Sequence, residues 1–186
     1  MRELSLHLLD LIENAIEAGA RSVDVSIIED PAQDRLTIAV ADDGRGMAPE
    51  LAARAADPFT TTRTTRRVGL GLALLAAACE RCQGSLDIQS TPGRGTTVTA
   101  SFRRSHIDLA PLGDIAGTLA TVIGGNPGIE LTYHHVFGER QFCLSTRELK
   151  ERLGEVPLNV PAICEWLREY VADGLAQLRG EAQWRG

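Results

Sequence analysis

"DLIENAIEAGA" (residues 10–20) sets an acid, Asp10, and an amide, Asn14, into a helix that otherwise reads as core. Leu4, Leu8, Leu11, Ile12 and Ala15 recur at helical spacing across residues 4–18, and Gly19 closes the helix. Asp10 and Asn14, four residues apart, share one face of it. Glu13 points to another side. Polar groups on a core helix are either ordinary surface residues or the lining of a ligand pocket. What lies downstream decides between the two.

Downstream, "SVDVSIIED" (22–30) and "RLTIAVAD" (35–42) alternate apolar and polar residues and read as a hairpin. A short Ala-rich helix is expected over 49–56, then a Thr/Arg-rich stretch over 60–67 with no apolar period. A second long helix is expected to open at Gly69 and end near Gly84. "SLDIQST" and "TTVTASF", joined at "PGRG", make a second hairpin. Residues 1–104 therefore read as an α+β unit: a two-layer α/β sandwich whose mixed sheet carries helices on one face. Beyond "RRSHIDLAPLGD" the pattern restarts. A helix over 112–123, strands over 129–137 and 140–145, and a short helix capped by Ser145 with Glu148 are expected. A last helix starts at Pro161 and holds Ile163, Trp166, Leu167, Tyr170, Val171 and Leu178. Residues 105–186 are expected to form a small C-terminal α+β annex, with no catalytic motif of its own.

The 186 residues are 44% hydrophobic and 24% charged, with a formal net charge of −6. Those are globular values, and the acidic balance argues against a nucleic-acid protein that relies on a basic surface. No apolar run approaches the roughly 20 residues of a membrane span, so the cytoplasm is the default location. Cys79, Cys82, Cys143 and Cys164 are too few for a disulfide scaffold.

Three Gly-rich loops carry the chemistry. "DDGRGM" (42–47) joins a strand end to an acid and two glycines, which allows the backbone close to a ligand. "VGLGLA" (68–73) places glycines at a helix start, where free N–H groups and the helix dipole favour phosphate. "GRGTTV" (93–98) puts Thr96 on a strand just after a tight turn. Each is weak alone; in this order, behind an Asn-bearing helix, they form a specific set.

As a set these segments resemble the GHKL (Bergerat-fold) ATPases: DNA gyrase B subunits, large heat-shock chaperones, mismatch-repair proteins and sensor histidine kinases. "DLIENAIEAGA" resembles their N box, "DDGRGM" and "VGLGLA" their two glycine boxes, "DPFTTTR" the segment before the lid, and "GRGTTVTASF" the closing strand. The resemblance implies bound ATP and Mg²⁺, with Asn14 ligating the metal between the phosphates. It implies that Asp42 accepts from the adenine amino group with Thr96 in support, and that Gly44, Gly46 and Met47 lie against the base. Gly69, Leu70, Gly71 and Leu72 would bring backbone N–H groups to the phosphates, and Arg63 would contact the γ-phosphate. Asp10 stands where gyrase, mismatch-repair and anti-sigma-factor relatives carry a Glu that acts as general base, and where histidine kinases usually carry Asn. An acid there keeps base-assisted attack by water or a hydroxyl available.

The resemblance implies a regulatory protein kinase that passes the γ-phosphate to a partner protein in trans. The alternative is a slow ATPase switch controlling homodimerisation or partner binding; a nucleotide sensor without turnover is a third reading. A chain that begins at the N-box helix is expected to act on a separate acceptor, and its lid is short. As a whole the sequence also resembles small stand-alone ATP-binding proteins found near iron-hydrogenase genes. "CERC" (79–82) is expected to pack rather than bind metal, and His7 to pack rather than accept phosphate. His106 is a second-rank acceptor in cis, and His134 or His135 with Cys143 or Cys164 a second-rank metal set.

Overall fold

The computed structural model describes residues 3–57 and 70–180. In chain order the elements are α1 (Leu4–Glu17), β1 (Ser22–Asp30), β2 (Arg35–Asp42), α2 (Pro49–Ala52), α3 (Gly71–Arg81), β3 (Ser85–Thr91) and β4 (Gly95–Arg103). Then come α4 (Ile115–Gly125), β5 (Glu130–Phe137), β6 (Arg140–Ser145), α5 (Thr146–Leu153) and α6 (Pro161–Arg179). The strands form one six-stranded mixed sheet in the order β3-β4-β2-β1-β5-β6. Among the described residues only β1 and β5 pair in parallel. This is the expected α+β class, a mixed sheet with helices, as in a Bergerat-type ATPase.

The alternation read from the sequence becomes a one-sided core. Val23, Val25 and Ile27 of β1, Leu36, Ile38 and Val40 of β2, and Val98, Ala100 and Phe102 of β4 are all buried. Register brings them side by side: Val25 faces Val40, which faces Val98, and Ile38 faces Ala100. Leu4, Leu8, Leu11, Ile12 and Ala15 of α1 join that core, with Leu75 and Cys79 of α3. Each such aliphatic side chain removed from water contributes about 1.5–3 kcal/mol. The opposite face of the sheet carries small and hydroxyl side chains such as Ser26, Thr37, Thr99 and Ser101, so it needs no cover.

The C-terminal segment is stitched into the same sheet. β5 lies parallel along β1, with Val23 opposite Leu131 and Val25 opposite Tyr133. Leu119 and Ile123 of α4 and Leu167 and Val171 of α6 belong to the same continuous core. The "linker" also has a local task. Leu4 and Ser5 donate their N–H groups to the carbonyls of Pro111 and Leu112 at 2.9 and 2.8 Å, satisfying donors that open the first turn of α1. Asp114 then caps α4 by accepting from the Gly117 N–H at 2.8 Å, which starts that helix three residues later than the apolar period. α2 ends after Ala52 because the next hydrogen bonds tighten: Arg54 and Ala55 donate to the carbonyls three residues back, Leu51 and Ala52.

A buried polar cluster ties the last helix to the first strand. The Glu29 carboxylate meets His135 Nε2 at 3.0 Å, Arg179 at 3.2 Å and Arg104 Nε at 3.5 Å, and the Tyr133 hydroxyl meets His135 Nδ1 at 2.8 Å. Burial pushes the Glu29 carboxyl up, but the His135 hydrogen bond and the Arg179 charge outweigh it and hold it below its ordinary value. Cys79 and Cys82 are both buried, and burial pushes the Cys79 thiol up to about 12. They pack as protonated thiols.

Candidate functional site

α1 and α3 bring Asp10 and Asn14 to the start of the second glycine box. Both side chains are half-buried on one face of α1, whereas Glu13 is exposed. Asp10 lies directly against the first turn of α3. A Cβ built on Gly71 would stand 3.2 Å from Asp10 Oδ2, 3.4 Å from its Cβ and 3.5 Å from its Cγ. The glycine is therefore what lets the carboxylate reach the helix N-terminus. Leu70, at the N-cap, offers no side-chain acceptor to the first N–H groups of α3, and Gly71 and Leu72 follow it in the opening turn. That arrangement suits an anionic ligand.

Across the core, the end of β2 builds the second part. Asp42 accepts from the Gly44 N–H at 2.8 Å and from the Thr96 N–H. Burial pushes its carboxyl above the ordinary value, and the charge of Asp43 adds to that; the two N–H donors oppose it. Gly44 has no room for a side chain, since a Cβ would lie 2.8 Å from Asp42 Oδ1 and 2.9 Å from Ala18 Cβ. Gly46 adopts φ +65°, and a Cβ there would run into the Thr91 carbonyl at 2.1 Å. The loop is thereby pressed against the β3–β4 turn.

Asp43, next door, has the opposite environment and another task. Its carboxylate accepts from the Arg21 and Ser22 N–H groups at 2.7 and 2.9 Å, and those bonds hold it below its ordinary value. It straps the loop to the start of β1, leaving Asp42 as the acid set into the pocket. Arg45 completes the strap: its N–H donates to the Ala18 carbonyl at 3.0 Å, and its own carbonyl accepts from Gly93 at 2.8 Å. Two adjacent acids are thus separated by environment alone.

Ser90 is a site residue that the motifs do not announce. Its hydroxyl accepts from the Met47 N–H at 2.8 Å, lies 2.9 Å from Thr96 Oγ1 and reaches the Gly95 carbonyl at 3.1 Å. One side chain therefore fixes Met47, Thr96 and the turn together. The β3–β4 pairing sets Ser90 opposite Thr96. A cleft of about 210 Å³ opens here, lined by Asp42, Ser90, Arg94, Gly95 and Thr96 among others. A larger cleft of about 440 Å³, around Asp34, Gln83 and Arg103, holds none of these residues. Arg63 and Gly69, with "DPFTTTR" apart from Asp57, lie outside the described residues.

Gly71 opposite Asp10, and Gly44 beside Asp42, are cradles that a single methyl group would crowd. The donor set fits Mg-ATP. An amide oxygen and a carboxylate beside a helix N-terminus suit a hard cation and its phosphates, and a half-buried carboxylate suits an adenine amino group.

Comparison with known proteins gives the family. A family model described as histidine kinase-, DNA gyrase B-, and HSP90-like ATPase matches residues 2–106. The non-motile and phage-resistance protein of Caulobacter vibrioides is 39% identical over 110 residues, 54% of this chain and 13% of that protein. Sensor protein kinase FleS of Pseudomonas aeruginosa is 42% identical over 91 residues, 49% of this chain and 22% of that protein. Sporulation kinase A of Bacillus subtilis is 33% identical over 96 residues, 50% of this chain and 15% of that protein. The chain thus spans under a quarter of the length of each. Among solved structures, the N-terminal domain of a DNA repair protein superposes with a TM-score of 0.52 at 16% identity, over 78% of this chain and 53% of that one. That likeness concerns the fold.

Proposed function

The chain belongs to the histidine kinase-, DNA gyrase B- and HSP90-like ATPase family, and on that premise we propose that it binds Mg-ATP and passes the γ-phosphate to a partner protein in trans. The observation that carries this is Asp10 set against Gly71: a carboxylate held at the N-terminus of α3, where the phosphates of a bound nucleotide belong. Bound Mg-ATP supplies an electrophilic γ-phosphoryl group there. Asn14 would offer its amide oxygen to the metal, and Gly71 and Leu72 their backbone N–H groups to the phosphates. The Asp42 carboxylate would accept from the adenine amino group beside its bonds to Gly44 and Thr96. Gly46, Met47 and Thr96 shape the base pocket. The family resemblance would add Arg63 and Gly69, which lie outside the described residues, to the phosphate contacts.

Asp10 serves as the general base. It takes the proton of an incoming hydroxyl, which favours Ser or Thr over His as the acceptor, because an imidazole nitrogen attacks without losing a proton first. Leu6 on α1 and Leu70 and Leu74 on α3 are exposed on the two helices that meet at Asp10. They offer an apolar surface for a partner to sit on while its acceptor enters. We take residues 1–104 as the nucleotide-binding unit, 105–186 as an annex that widens its sheet, and the cytoplasm as the location.

The same half-buried acid can activate water, so a slow ATPase switch acting on a homodimer or partner is the second reading. γ-labelled ATP with Mg²⁺ separates the two, using wild type, Asp10→Asn and Asn14→Ala, alone and with lysate. Label on a second protein, lost in both variants, is the expected result. Free phosphate without labelled protein turns the reading to the switch. The absence of ATP binding overturns both.

A further inference from the structure

We propose that the outer edge of β6 takes up an extended, cationic segment of a partner protein as a seventh strand, its Lys or Arg side chains held by Trp166, Tyr170, Glu169 and Asp173. This surface is separate from the nucleotide site, and the proposal stands whichever fate the γ-phosphate meets.

β6 ends the sheet. Its inner side pairs with β5, and among the described residues no strand pairs with its outer side. Alternate residues of such an edge send N–H and C=O groups outward. β6 carries no Pro or Lys, and Arg140, Gln141 and Cys143 are exposed along it. These are the features of an edge that accepts a strand.

A chain of aromatic rings runs from the core to that edge. Buried Tyr133 meets Phe142 of β6 at 6.3 Å between centroids, Phe142 meets Tyr170 at 5.7 Å, and Tyr170 stacks on Trp166 at 5.2 Å with an interplanar angle of 17°. Tyr133 is 0% exposed, whereas Tyr170 and Trp166 are each 42% exposed. Gly174 lets α6 come this close, since a Cβ there would strike the Phe142 ring at 2.2 Å. A strand added outside β6 lies about 4.8 Å away. Its residue opposite Phe142 points to the same face, so its side chain falls beside Tyr170 and Trp166.

Charge selects the occupant. Trp166, Glu169, Tyr170 and Asp173 stand at helical spacing on one face of α6. Among the described residues, neither Glu169 nor Asp173 forms an ion pair. The nearby cations are already engaged: Arg168 pairs with Asp114 at 3.5 Å, and Arg140 lies over the Phe137 ring at 5.4 Å. Two stacked π faces flanked by unpaired carboxylates bind a guanidinium or ammonium group and repel an acidic segment.

The test uses the full chain and a fluorescent, alternating Arg–Thr octapeptide read by anisotropy. A Glu–Thr octapeptide and an Arg–Thr octapeptide N-methylated at alternate residues serve as controls. Saturable binding of the Arg–Thr peptide alone is expected, weakened about fivefold or more by Trp166→Ser with Tyr170→Ser. Glu169→Gln with Asp173→Asn, exposed and isosteric changes that leave the fold intact, should weaken it and flatten its salt dependence. ATP affinity should not move in either variant. No saturable binding, equal binding of the Glu–Thr or N-methylated peptide, or indifference to both variants overturns the proposal. Self-association through this edge, abolished by the aromatic variant while the peptide fails to bind, would assign the edge to a second copy instead and also overturns it.

Discussion

Gly71→Ala isolates the contact on which the proposed chemistry rests. The new methyl carbon stands 3.2 Å from Asp10 Oδ2, tighter than ordinary contact, so the carboxylate must yield by a few tenths of an ångström. Stability has two opposed terms. Ala in place of helical Gly gains up to about 1 kcal/mol, less in a first turn, and the crowding costs a similar amount. The net shift in melting temperature should stay within about 4 °C. The chemical rate should not be spared. If a displacement of about 1 Å costs on the order of a hundredfold, a few tenths cost roughly threefold to tenfold. The assay is single-turnover release or transfer of the γ-phosphate at saturating ATP, with the melting temperature measured in parallel. In an Asp10→Asn background the methyl group has no base left to displace, so Gly71→Ala should change the rate by less than about twofold. Full activity in Gly71→Ala, or an equal loss in both backgrounds, would refute the claim that Asp10 works from this position.

Because burial holds the Asp42 carboxyl above its ordinary value, the folded state keeps that proton to a higher pH than the unfolded chain. Between the two values stability falls as pH rises, so Asp42→Asn should leave stability at neutral pH unchanged or improved. On the proposed binding mode ATP affinity should fall on acidification, at a pH above that of an ordinary carboxylate, and calorimetry against pH would show it. Ser90→Ala strands the half-buried Met47 N–H and frees Thr96; a loss of about 1 kcal/mol in urea unfolding and weaker ATP binding are expected. Glu29→Gln removes the charge that His135 and Arg179 share, and should cost about 3 kcal/mol, since breaking such a pair leaves partners unmatched. Glu29 sits below its unfolded value, so its contribution is present above about pH 4.3 and is lost as pH falls through the folded value. The stability of wild type and Glu29→Gln should therefore converge in acid.

The sheet was legible where a short-range signal specified it. Alternating Val23, Val25 and Ile27 against Leu36, Ile38 and Val40, across a turn, is a local pairing that a sequence states outright. The parallel insertion of β5 beside β1 has no such signal, since its partner strand lies about a hundred residues upstream. Its two strands and their turn were readable; their place in the sheet was not. The glycine boxes were legible because a residue that must lack a Cβ leaves a mark, and Gly44, Gly46 and Gly71 each face an atom that a side chain would crowd. Ser90 was not legible, because a hydroxyl on a strand looks the same whether it faces water or holds a loop. Neither was the separation of Asp42 from Asp43. Identical side chains became a pocket acid and a structural strap: Asp43 is held by N–H groups from residues more than twenty positions earlier, while burial outweighs the N–H groups that Gly44 and Thr96 turn to Asp42.

The departure at residue 10 then has a physical reading. Asp is shorter than Glu by one methylene, about 1.5 Å of reach. A base on the shorter stem serves only if the helix proposed to hold the phosphates comes correspondingly close. It does so here at a position without a side chain: Gly71 meets Asp10 Oδ2 at a separation that any larger residue would open. Acid and glycine are therefore one fitted pair. Lengthening the acid by Asp10→Glu should slow the chemistry, as the extra methylene drives the carboxylate past its place or out toward solvent, even though Glu is what several relatives of this fold are expected to carry. A rate for Asp10→Glu at or above wild type, in the single-turnover assay, would show that the close approach of α3 is packing and that the length of the acid is not matched to it.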